Sequence, residues 1–132
     1  MAAILLVDDD EIFIDLLWLR LENAGHSVSI ALVGEAALKW VQNVRPALVI
    51  VDSMMSVLAG IEVLTALRAN ATTRAIPIIM ITARKGEADV ASALKAGNDD
   101  YLTKPFMPQE LLTRVEILLS KSQENRNVQP SY

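Results

Sequence analysis

Cysteine is absent from the 132 residues. That excludes disulfides, thiol nucleophiles and thiolate metal sites together. Histidine occurs once, as His26, which excludes a histidine-based zinc site or a Ser-His triad in any usual form. Positive charge is in deficit: 12 Lys and Arg stand against 16 Asp and Glu, for a net charge of -4. No basic stripe neutralises phosphates, so no direct contact with nucleic acid is expected. No apolar run has the length of a membrane span. The run at 2–7 is too short for a signal peptide, lacks a basic leader and stops at three acids. A cytoplasmic protein without membrane contact is therefore expected. What is abundant is apolar: 52% of residues are hydrophobic. The length suits one domain with a real core and not two.

The most informative stretch is 47–60, ALVIVDSMMSVLAG. Five apolar residues run into a lone carboxylate, Asp52. A short run rich in Val and Ile reads as a strand buried on both faces. Residues 3–7 (AILLV) and 76–81 (IPIIMI, then Thr82) have the same character. Residues 26–31 (HSVSIA) and 99–103 (DDYLT) mix polar and apolar positions and read as edge strands. His26 is expected to face solvent.

Helical patterns separate these strands. In the first, Asp10 is a plausible N-cap and Gly25 a stop. Phe13, Leu16, Leu17, Leu21 and Ala24 form the expected inward stripe. Ile14 and Trp18 lie off it, four residues apart, and are expected to form an outward apolar pair. A second helix covers 34–44, with Ala37, Leu38 and Val41 inward and Trp40 off that line. A third covers 60–70, with Ile61, Leu64 and Leu67 inward. A fourth covers 87–96, closed by Gly97-Asn98. Pro108 starts a fifth, expected to end near Ser120. The domain is thus placed at 1–120, with 121–132 as a polar tail or linker stub. No output domain is expected after Ser120.

Five strands alternating with five helices give an α/β, doubly wound, flavodoxin-like parallel sheet. Apolar strands belong in the middle and mixed strands at the edges, which the order 2-1-3-4-5 satisfies. All carboxyl ends then share one rim. Asp8 and Asp9 end the first strand, Asp52 the third and Thr82 the fourth, and Lys104 follows the fifth. Any one of these residues alone is commonplace: an acidic helix start, a strand end, a loop charge. Their joint placement at one structural level is not.

Three crowded carboxylates raise one another's pKa, and a divalent cation relieves this. With oxygen ligands only, Mg2+ is the natural choice. Lys104 adds a second positive charge. The set suits phosphoryl transfer, with Asp52 as nucleophile forming an acyl phosphate and the Thr82 hydroxyl bonding a phosphoryl oxygen.

Asp8-Asp9, Asp52, Thr82, Tyr101 and Lys104-Pro105 together resemble the bacterial two-component response-regulator receiver domain, in its single-domain, chemotaxis-regulator-like form. The resemblance covers 3–120. It implies that Asp8, Asp9, Asp52 and the backbone carbonyl of Met54 hold Mg2+. It implies that Asp52 accepts phosphate from a sensor histidine kinase or histidine phosphotransfer protein. Thr82 and Tyr101 form the coupled switch, Lys104 bonds the phosphoryl group, and the Lys104-Pro105 bond is cis. Met54 and Arg84 flank the attacking water and tune phosphoryl lifetime. The first helix helps dock the phosphodonor, which gives Ile14 and Trp18 an expected role as a partner patch. The implied protein is a switch and not an enzyme. It acts on a downstream target protein, as a monomer or a phosphorylation-dependent dimer. Ser56 and Ala59 depart from the family's usual Pro and acidic residue after the acceptor, which bears on loop rigidity. Two alternatives stay open. One is a phosphorelay intermediate. The other is a haloacid-dehalogenase-type phosphohydrolase, which would use Asp8 and Asp10 instead and leave Asp52 without a role.

Overall fold

The structure is a computed structural model that describes residues 2–52, 60–82, 97, 99–104 and 106–127. Its strands are β1 (Ala3–Val7), β2 (Ser27–Ala31), β3 (Leu48–Asp52), β4 (Ile78–Thr82) and β5 (Asp100–Thr103). Its helices are α1 (Glu11–Asn23), α2 (Gly34–Asn43), α3 (Gly60–Ala69) and, C-terminal, α4 (Pro108–Asn127). The helix expected at 87–96 lies outside the described residues. The strands form one parallel sheet in the order β2-β1-β3-β4-β5, as expected.

The apolar strands feed two half-cores because successive side chains point to opposite faces. Leu5, Val7, Val49, Val51, Ile78 and Met80 pack with Ala37 and Val41 of α2 and with Val63, Leu64 and Leu67 of α3. Ile4, Leu6, Leu48, Ile50, Ile79 and Ile81 pack on the other face with α1 and α4. Every residue of β3 and β4 is buried, whereas β2 and β5 are partly open. This is the division between central and edge strands that their compositions predicted.

Helix α1 corrects the expected stripe. Ile14, Leu17 and Leu21 are the buried residues, while Leu16 is 46% exposed and Ala24 is exposed. Ile14 therefore belongs to the core, and the outward Ile14–Trp18 pair does not exist; Trp18 alone is exposed, at 40%. Residues 14, 17 and 21 are as regular a helical stripe as the expected one. Leu16, Leu19 and Ile12 make the outer side apolar too, so periodicity could not select the face. The ends behaved as expected. Asp10 accepts hydrogen bonds from the backbone N–H groups of Ile12 (3.1 Å) and Phe13 (3.3 Å). Gly25, at φ 97°, makes the left-handed turn that a side chain would disfavour.

His26 is the second correction: it is buried, 5% exposed, and its Nε2 donates to Glu116 Oε1 on α4 at 2.9 Å. Polar alternation placed it in solvent, but α4 reaches over the start of β2 and supplies the carboxylate. We expect His26→Ala to lower unfolding stability by about 1–3 kcal/mol through the lost bond and lost packing. Glu116→Gln, which keeps an acceptor for Nε2, should cost under about 1 kcal/mol. Urea unfolding of both variants checks the ordering.

The sheet's amino end is tied by Arg68 of α3. Its Nε donates to Gly97 O (2.7 Å), Nη1 to Arg74 O (2.8 Å) and Ile76 O (2.7 Å), and Nη2 to Asp99 Oδ2 (2.6 Å). Asp99 Oδ2 also accepts from the Ile78 backbone N–H at 2.7 Å, at the first residue of β4. Gly97 sits at φ 100°, and a Cβ there would meet Arg68 Cγ at 3.2 Å. One planar fork thus joins α3 to the entries of β4 and β5. Arg68→Ala should cost about 2–4 kcal/mol, since several acceptors lose a charged donor at once. Arg68→Lys should recover less than half of that, because an ammonium cannot reproduce the fork. Denaturant midpoints of the two variants test this.

Helix α4 continues past Ser120 to Asn127. Residues 121–127 have no apolar period, so patterning did not reveal them. Lys, Gln, Glu and Arg are nonetheless good helix formers and extend a helix already nucleated upstream.

Candidate functional site

The rim at the carboxyl ends of the strands collects the predicted residues. β1 delivers Asp8, whose backbone N–H donates to Ala31 O at 3.1 Å and so extends the ladder to β2. Asp8 is 1% exposed, and its Oδ1 accepts from the Asp10 N–H at 3.0 Å. Asp9, next in the chain, is exposed. Asp52 ends β3 and is 6% exposed. One carboxylate oxygen from each of Asp8, Asp9 and Asp52 lies within 4.8 Å of the others.

Lys104 leaves β5 beside Thr82, its N–H donating to Thr82 O at 2.6 Å. Its Nζ stands 3.9 Å from Asp8 Oδ2 and 3.9 Å from Asp52 Oδ2. Both separations exceed hydrogen-bond length, so the ammonium acts on the two carboxylates through space. Thr82 is buried at the end of β4, one residue beyond Ile81, the partner of Asp52 in the ladder. Tyr101 pairs with Met80 and packs, half-buried, on the α2–α3 half-core. The structure therefore gathers Asp8, Asp9, Asp52, Thr82 and Lys104 at one rim, with Tyr101 one strand away. Met54, Ser56, Ala59, Arg84 and Pro105 lie outside the described residues.

The charge balance is unfavourable without a further cation. Among the described residues, three carboxylates share the rim with one ammonium. Burial raises the Asp8 carboxyl from 3.8 to about 6, and the charge of Asp52 and a hydrogen bond with it push the same way. The Asp10 N–H and Lys104 pull it down without cancelling the rise. A cluster of crowded carboxylates that offers oxygen donors at short range fits a hard divalent ion.

Sequence reasoning missed two aromatic rings here. Phe13, expected simply in the core, lies under Lys104, with Nζ 4.0 Å from the ring centroid. Phe106 meets Phe13 edge to face, with centroids 5.8 Å apart and planes at 89°. No spacing rule links position 13 to 104 and 106, so only the folded topology reveals the contact.

A family model described as the response regulator receiver domain matches residues 4–116. The chain belongs to the response regulator receiver domain family. This receiver domain is 42% identical over 120 residues to the alkaline phosphatase synthesis transcriptional regulatory protein PhoP of Bacillus subtilis, with 91% of this chain and 49% of that protein covered. It is 38% identical over 121 residues to the DNA-binding response regulator MtrA of Mycolicibacterium smegmatis, covering 92% and 52%. Among solved structures it resembles a CheY-like response regulator receiver domain protein from Methanospirillum hungatei. There the TM-score is 0.89 at 27% identity, covering 95% of this chain and 98% of that one. The chain spans about half the length of the curated relatives it matches. No helix among the described residues is long and apolar enough to cross a membrane. In this receiver domain the rim at Asp52 gathers three carboxylates and the Lys104 ammonium.

Proposed function

We propose that the domain is a phosphorylation-controlled switch with Asp52 as its phosphoacceptor. The observation that carries the reading is the cluster of three carboxylates at one rim with Lys104 3.9 Å from two of them. In the proposed reaction an Asp52 carboxylate oxygen attacks phosphorus. An O–P bond forms as the N–P bond of a phosphohistidine breaks, and the imidazole leaves with the electron pair. The donor is a sensor histidine kinase or a histidine phosphotransfer protein.

Asp8, Asp9 and Asp52, with the Met54 carbonyl, would hold Mg2+. When bound, the ion supplies neutralising charge for the phosphoryl oxygens. Lys104 contributes a second positive charge as a point contact to a phosphoryl oxygen. The Thr82 hydroxyl, buried at the neighbouring strand end, donates to the phosphoryl group, and Tyr101 turns inward with it. Met54 and Arg84 set how long the aspartyl phosphate lasts. Apart from accepting and losing its own phosphoryl group, the domain turns over no substrate. It passes its state to a target protein from the cytoplasm, as a monomer or a phosphorylation-dependent dimer, without itself touching nucleic acid or membrane. Of the expected Ile14–Trp18 pair, Trp18 remains as an exposed contact for the donor on α1.

Phosphorelay, with onward transfer from Asp52 to a second histidine, uses the same site and differs only in reversibility. The phosphohydrolase alternative has an observation against it. Asp10 caps α1 through Oδ1, which accepts from Ile12 and Phe13, and it is not one of the three clustered carboxylates. The deciding experiment is incubation with a small acyl phosphate and Mg2+, followed by mass location of the label. We expect one phosphoryl group on the peptide containing Asp52. Label on Asp8, or none, overturns the proposal.

A further inference from the structure

We propose that Phe13 is a positioning residue for Lys104, a role that rests on the reading of Lys104 as a phosphoryl contact. Lys104 carries its charge on a flexible four-carbon stem, and such a stem has many rotamers to lose. The two carboxylates it faces are equidistant at 3.9 Å, and neither is close enough to fix it by a hydrogen bond. The third contact of the ammonium is directional: it lies 4.0 Å over the face of Phe13, well inside the range at which a ring quadrupole attracts a cation.

The ring is itself held from three sides. Its residue sits in the first turn of α1, where its backbone N–H is bound by the Asp10 cap at 3.3 Å. Its side chain packs on the half-core shared by α1 and α4. Phe106, two residues beyond Lys104, meets it edge to face. An edge-to-face partner leaves the ring face available to the cation, and it ties α1 to the segment leaving β5. The lysine side chain is only 23% exposed, so the contact is screened less than on an open surface. The ring thus holds the ammonium between Asp8 and Asp52 before a phosphoryl group arrives, reducing the order that must be created during transfer.

The test compares Phe13→Leu, which keeps apolar volume but removes the ring, with Phe13→Tyr, which keeps it. Two readouts are needed. The first is NMR of the lysine side chain in the domain without metal or phosphate. In the wild type the Lys104 ε-CH2 protons should be displaced upfield by the ring; in Phe13→Leu they should return to ordinary lysine values, and in Phe13→Tyr stay displaced. The second is the rate of phosphorylation by a small acyl phosphate at saturating Mg2+. Phe13→Leu should slow it about 3- to 30-fold, the factor equivalent to a partly desolvated cation–π contact. Phe13→Tyr should restore it to within about twofold, and Mg2+ affinity should be unchanged by either variant.

Ordinary lysine shifts in the wild type overturn the proposal without any variant, so the test survives if Phe13→Leu fails to fold. Equal rates for the wild type and Phe13→Leu also overturn it, while leaving Asp52 as acceptor intact. A wild type that takes no label on Asp52 removes the underlying reading instead, and the two failures are distinguishable.

Discussion

Asp52→Asn is expected to lower phosphoryl incorporation from a small acyl phosphate by at least about 100-fold, because a carboxamide oxygen is a poor nucleophile. The same substitution should make the fold more stable, not less. Asp52 raises the Asp8 carboxyl by its charge and by a hydrogen bond, and both effects penalise the ionised site in the native state. Removing that charge at neutral pH in metal-free buffer should return about 1–2 kcal/mol, taking the low end of close charge pairs near a protein surface. Lys104 keeps Asp8 as a partner at 3.9 Å. The paired measurement is incorporation by mass and unfolding by urea. Undiminished incorporation would reject Asp52 as acceptor. A less stable variant would show that the carboxylate serves the native state more than it strains it.

The second large effect is pH dependence set by Asp8. Its carboxyl is raised from 3.8 to about 6, chiefly by burial. Between about pH 4 and 6 the native state holds a proton that the unfolded chain has released. Stability contributed by that proton is full below pH 4 and is lost as pH rises to 6. A rise of about two units corresponds to about 3 kcal/mol across that window. In the proposed site Mg2+ would be held by the ionised carboxyl, so the ion should raise the unfolding temperature at pH 7.5 and have little effect at pH 5. Asp8→Asn should flatten the pH 4–6 slope and stabilise the metal-free domain at pH 7.5 by about 1–3 kcal/mol. It should also remove most of the gain from Mg2+. Thermal unfolding at both pH values, with and without the ion, checks all three. A Mg2+ increment that is equal at pH 5 and 7.5 would be incompatible with Asp8 as a ligand.

The sheet order and the rim were legible because strand composition carries them. A strand buried on both faces must be apolar throughout, so the polar residue that ends it marks its exit. That logic located Asp8, Asp52 and Thr82 at one level. It could not choose a face for α1, where Ile14 and Leu16 are equally apolar and only the sheet's position decides. It could not find the burial of His26, whose cover, Glu116, lies 90 residues later. Nor could it place Phe13 under Lys104, since nothing in either neighbourhood names the other. Long-range side-chain pairs are settled by packing and leave no periodic trace.

Helix α1 has apolar residues on its outer side as well as its inner one, with Ile12 84%, Leu16 46% and Leu19 50% exposed. Such a cylinder gains little from water for being rolled one way and not another. Its roll is fixed instead by its fittings: the Asp10 cap, the Gly25 turn, the keyed-in Ile14, Leu17 and Leu21, and the Phe13–Phe106 pair. Because Lys104 rests on Phe13, the helix and the ammonium are geared together. A roll of α1 about its own axis would therefore move the ring on which the ammonium rests.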